Sequence, residues 1–106
     1  MKLDTPLEKA VKIIVQLSDP DKIILFGSRA REDYKDESDY DLLVLKKGLT
    51  DQRPLVQEIY LNFKHIGAPI DVIAVDIDRF EELKDDPYMI YNEAFLHGNL
   101  IYEKSR

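Results

Sequence analysis

The sequence predicts an α+β domain, a small sheet flanked by helices, on three observations. Apolar segments of strand length, KIILF, DYDLLVL and IDVIAV, alternate with segments of helical period. Most of the helical segments carry their own start or stop signals. A chain of 106 residues supplies one modest core, so residues 1–106 are expected to form a single domain with no separate substrate domain.

Thr5, Pro6 and Glu8 open the first helix with a capping hydroxyl, a proline at the first helical position and an acid three residues after the cap. Leu7, Val11, Ile14 and Leu17 or Ser18 then give it an apolar stripe, and Asp-Pro-Asp at 19–21 ends it. Lys22 to Phe26 reads as a buried strand that stops at Gly27 and Ser28. Ser28 can cap a short helix over Arg29 to Asp33, followed by a charged loop from Tyr34 to Ser38. Asp39 to Leu45 is the second strand, too apolar in its second half for a surface segment.

Thr50 or Asp51 can cap a helix with Leu55, Ile59, Phe63 and Ile66 on one face, which Gly67 is expected to stop. Pro69 leads into a third strand, Ile70 to Val75. Asp78 and Glu81 read as a capping pair for a short helix, and Asp86 with Pro87 as the start of the last one, ended by Gly98. Leu100 to Tyr102 adds a small edge strand. The alternation leaves the strand order open, because connections as short as 67–69 fit several topologies.

Fifteen Lys and Arg against twenty-one Asp and Glu give a formal net charge of −6. That balance argues against general affinity for nucleic acid, whose phosphates would be repelled over most of the surface, and suits a basic or neutral protein partner. The absence of cysteine excludes disulfides, thiolate zinc sites and cysteine nucleophiles. No apolar run reaches signal-peptide length at MKLDTPLEKA or the membrane-spanning length of about 20 residues elsewhere, so a cytoplasmic protein is expected.

The chemistry concentrates in GSRAREDYKDESDYD, residues 27–41. Side chains alternate along a strand, so Asp39 and Asp41 project from one face with Tyr40 on the other. Two ionised carboxylates at that spacing repel each other, and a hard divalent cation relieves the repulsion. Mg²⁺ suits such a pair because it keeps several waters and takes further ligands from phosphates. Asp71, at the head of the third strand, completes an oxygen cluster if the two strands are neighbours. Gly27 permits close approach of backbone to phosphate, Ser28 offers a hydroxyl, and Arg29 and Arg31 stand beside them as phosphate partners.

Bland readings compete at each position. Asp39 and Asp41 alone suit a solvated strand entry, Asp71 a strand-start cap, Ser28 an ordinary N-cap, and the two arginines a solvated helix. Asp76 and Asp78 read as turn and cap residues, and His65 and His97 as surface histidines near helix C-termini. The Gly-Ser turn together with Asp71 tips the balance toward a site.

With Gly27, Ser28, Asp39, Asp41 and Asp71 in place, the sequence resembles the minimal nucleotidyltransferases, which are related in fold to DNA polymerase beta and to kanamycin nucleotidyltransferase. Their signature is Gly-Ser, ten residues, Asp-x-Asp, and a third acid on a later strand; the likeness extends over nearly the whole chain. It implies the polymerase beta-like nucleotidyltransferase fold, with a small mixed sheet. It also implies that Asp39, Asp41 and Asp71 are the catalytic and metal residues for one or two Mg²⁺ ions, and that Gly27, Ser28, Arg29 and Arg31 bind ATP.

Stand-alone domains of this size resemble the antitoxin partners of small helical HEPN toxins. The resemblance implies a protein adenylyltransferase moving AMP from ATP to a tyrosine hydroxyl of such a toxin. Glu32, followed by Asp33, departs from the family pattern, which has glycine at that place; an extra carboxylate beside the phosphate turn would oppose nucleotide binding unless it points to solvent. The alternative function is therefore an antitoxin that neutralises its HEPN partner by contact alone. Transfer to a small molecule such as an aminoglycoside is a weaker alternative, since the chain lacks sequence for an acceptor pocket unless an oligomer supplies it.

Overall fold

The computed structural model describes residues 5–31 and 39–105, and the order of elements is α1 (Thr5–Ser18), β1 (Lys22–Phe26), α2 (Ser28–Arg31), β2 (Tyr40–Leu45), α3 (Gln52–Leu61), β3 (Ile70–Val75), α4 (Ile77–Leu83), α5 (Ile90–His97) and β4 (Asn99–Glu103). Glu32 and Asp33, and the loop expected over residues 34–38, lie outside the described residues.

The four strands form one mixed sheet in the order β3-β2-β1-β4. β1 runs antiparallel to both neighbours, while β2 and β3 are parallel and α3 makes the crossover between them. Alternation of side chains splits the core in two. Ile23, Leu25, Leu42, Val44, Ile70, Val72 and Ala74 pack on one face against α1 and α3, through Leu7, Ala10, Ile14 and Ile59. Ile24, Phe26, Leu43, Leu45 and Val75 pack on the other face against Phe80 of α4 and Ala94 of α5. Burial on both faces explains why β1 and β2 read as continuous apolar runs.

β3 is an edge strand, and side chains of α3 cover two of its N–H groups. Val72 N donates to the Tyr60 hydroxyl at 2.8 Å and Ala74 N to Gln52 Oε1 at 3.0 Å.

Several boundaries differ from the sequence expectation. α3 stops at Leu61 rather than continuing to Gly67, because Asn62 bonds both ways into the last turn: its N–H donates to Ile59 O and its side-chain amide to Glu58 O. Ile66 still reaches the core from the irregular segment that follows, and Gly67, at φ +86°, turns the chain toward β3. Asp76 caps α4 by accepting from Arg79 N, which leaves Asp78 inside the first turn. Asp86 accepts from Tyr88 N in a turn, so α5 begins only at Ile90. No described helix is long and apolar enough to cross a membrane.

Candidate active site

The parallel register of β2 and β3 places Asp41 directly beside Asp71. Residues paired in this way point to the same face, here the one that carries Phe26 and Leu43. Asp39, which immediately precedes β2, shares a side-chain hydrogen bond with Asp71. Three carboxylates separated in the sequence therefore converge at one end of the sheet. Asp39 and Asp71 are exposed and Asp41 is half-buried.

Their electrostatics record the crowding. Burial, then the negative charges of Asp71 and Asp39, hold the Asp41 carboxyl above its ordinary pKa, while Arg31 pulls it back down. Asp71 is raised by burial, by its hydrogen bond with Asp39 and by the charge of Asp39.

Gly27 stands directly against Asp41. Its φ of +74° suits glycine, and a Cβ built there would stand 2.4 Å from Asp41 Oδ2. The chain then turns into α2, where Ala30 N and Arg31 N donate to Gly27 O at 3.1 and 3.2 Å. Ser28 opens α2 at the level of Asp41, since Phe26 is the β1 residue paired with that aspartate.

The two arginines diverge. Arg29 lies over the Tyr40 ring, 4.2 Å from its centroid, and Tyr40 is buried on the face opposite Asp41. Arg31 stays on the carboxylate side and donates to Glu93 on α5. No signal in the sequence points to Glu93, which lies 62 residues away on α5.

Among the described residues, no group of three His, Cys, Asp or Glu side chains stands arranged to hold a metal ion. The donors at hand are all carboxylate oxygens, and burial together with neighbouring acids disfavours ionisation of Asp41 and Asp71. The donor type is that of an open Mg²⁺ site completed by water and phosphate, and Asp39, Asp41 and Asp71 are the residues that could supply its protein ligands.

A family model described as "Polymerase beta, Nucleotidyltransferase" matches residues 8–106. The chain belongs to this nucleotidyltransferase family. The mixed four-stranded sheet of this nucleotidyltransferase domain matches the polymerase beta-like fold. Among solved structures, the domain is similar to a toxin-antitoxin crystallised with AMP-PNP, at 16% identity and a TM-score of 0.60 over 92% of this chain and 74% of the other. It is also similar to a Sulfolobus solfataricus protein assigned as a nucleotidyltransferase, at 22% identity and a TM-score of 0.51 over 97% and 91% of the two chains. No curated protein matches this nucleotidyltransferase sequence.

Proposed function

We propose that this nucleotidyltransferase is a cytoplasmic antitoxin that transfers AMP from ATP to a tyrosine hydroxyl of a helical HEPN toxin. The observation that carries the reading is the in-register pair Asp41 and Asp71, with the Asp41 carboxylate against the backbone of Gly27. That arrangement sets a turn without side-chain bulk directly against the carboxylate cluster, so that a triphosphate in front of the turn would lie beside the carboxylates. The likeness in fold to a toxin-antitoxin crystallised with AMP-PNP supports the choice of nucleotide and of partner class.

In this mechanism the backbone at Gly27 and the Ser28 hydroxyl hold the β- and γ-phosphates, and Asp39 and Asp41, which would repel a bare triphosphate, serve as metal ligands. The tyrosine oxygen bonds to the α-phosphorus in line as the bond to pyrophosphate breaks, and Asp71 accepts the hydroxyl proton. A carboxylate with raised pKa is the better base for that transfer. Asp39, Asp41 and Asp71 would hold Mg²⁺, which when bound would supply positive charge to the reacting phosphate oxygens. No covalent enzyme intermediate is required.

The engagement of Arg29 with Tyr40 and of Arg31 with Glu93 favours a second reading, neutralisation by contact alone, since both expected phosphate partners already have protein contacts. Intact mass spectrometry separates the two. The helical HEPN partner is incubated with this chain, ATP and Mg²⁺. A gain of one or more AMP units, lost with Asp39→Asn and Asp41→Asn together, is the expected result; an unchanged mass within a stable complex selects the contact reading.

A further inference from the structure

We infer that Glu93 is a positioning residue: its carboxylate holds the Arg31 guanidinium at the rim of the site, so that Asp39, Asp41 and Asp71 remain available to a divalent cation. The inference rests on the metal-dependent reading above and extends it to α5, an element the family motif does not include.

The argument starts from where the Arg31 backbone is fixed. Arg31 N donates to Gly27 O, and the α-carbon of Gly27 abuts the Asp41 carboxylate. An arginine stem therefore rises from the wall of a three-carboxylate cluster. A guanidinium is permanently charged, carries five donors in a planar fork and pairs with carboxylates two oxygens at a time. Left to itself beside three acids, it would take the same oxygens that a metal needs.

The structure instead directs Nη1 of Arg31 to Oε1 of Glu93. With side-chain exposures of 42% and 35%, the pair sits at the rim, where an ion pair adds little stability and acts mainly by fixing geometry. Its carrier is well anchored. Ala94, the next residue, is 2% exposed, and Gly98 at the end of α5 packs so closely on Ile24 that a Cβ would stand 2.6 Å from its Cγ2. Asn99 Nδ2 then donates to Ala30 O at 3.3 Å, which ties the end of α5 back to α2. Glu93 and Arg31 thus ride on elements locked to each other. From this position Arg31 still acts on Asp41 through its field, lowering the proton affinity of that carboxylate.

A double-mutant cycle on the nucleotide-free full chain tests the assignment, with Mn²⁺ as the probe and electron paramagnetic resonance as the readout. Glu93→Gln should weaken Mn²⁺ binding by about tenfold, whereas the same change in an Arg31→Gln background should cost nothing, because no guanidinium is left to occupy the carboxylates. An equal loss in both backgrounds would mean that Glu93 acts only by its own charge, and no loss in either would mean that it has no role at the site; each result overturns the inference. If Glu93→Gln matches the parent while Asp39→Asn with Asp41→Asn abolishes binding, the assignment of Glu93 fails and the metal reading stands. A parent chain without saturable Mn²⁺ binding would overturn both.

Discussion

Gly27 and Asp41 touch at a point where no side chain fits: a Cβ on residue 27 would come within 2.4 Å of Asp41 Oδ2. The Gly-Ser turn is therefore shaped by the carboxylate behind it as well as by any phosphate in front. Gly27→Ala should displace the Asp41 carboxylate and place alanine at φ +74°, where an L-residue costs about 1–2 kcal/mol. Urea denaturation should show a loss of that size, and Mn²⁺ affinity should fall with it.

The acidic cluster should make the metal-free protein less stable as pH rises. Asp41 and Asp71 have folded-state pKa values above the ordinary carboxylate value, so between the two values the folded state holds more protons than the unfolded one. Stability contributed by these groups is thus greatest when they are protonated and declines through that window. Asp71→Asn should raise the melting temperature at neutral pH in chelator and flatten the acidic limb of the stability profile. Mn²⁺ should raise the melting temperature of the parent protein and have less effect on the variant. Differential scanning calorimetry at several pH values measures all three.

The caps on β3 should be measurable one amide at a time. Tyr60→Phe removes the acceptor for Val72 N, and Gln52→Leu removes the one for Ala74 N. Each change should cost about 1 kcal/mol. Hydrogen exchange should accelerate at residue 72 in the first variant and at residue 74 in the second. With both changes, the exposed edge should increase self-association in sedimentation experiments.

Gly98→Ala should be the more disruptive of the two glycine substitutions for the core. A Cβ there would meet Ala94 O at 2.3 Å and Ile24 Cγ2 at 2.6 Å, so α5 must shift on the sheet. Overpacking of this kind costs about 1–3 kcal/mol, readable as a lower denaturation midpoint.

Much of this architecture was legible as local pattern. The strands declared themselves because β1 and β2 are buried on both faces, α1 through its apolar spacing, and α3 because apolar spacing agreed with its Asp51 cap. The family signature marked both the turn and the carboxylates. Other features were illegible because they depend on partners far away in the chain. The end of α3 follows from the competition of one asparagine side chain for a helix carbonyl, which overrides the apolar periodicity. The start of α5 was misplaced because an Asp-Pro pair serves a turn and a cap equally well. Arg29 and Arg31 looked equivalent, yet one met an aromatic ring and the other a carboxylate on α5.

The parallel pairing of β2 with β3 also sets how this chain can vary. Side chains alternate with a period of two, so sliding β3 by one residue would carry Asp71 through the sheet to the side of α1 and α3, while its apolar neighbours exchanged faces. A single inserted residue within Ile70 to Val75 should therefore be far more damaging than several inserted between Asn62 and Pro69, where the chain is already irregular. Length is negotiable on the approach to the strand; parity within it is not.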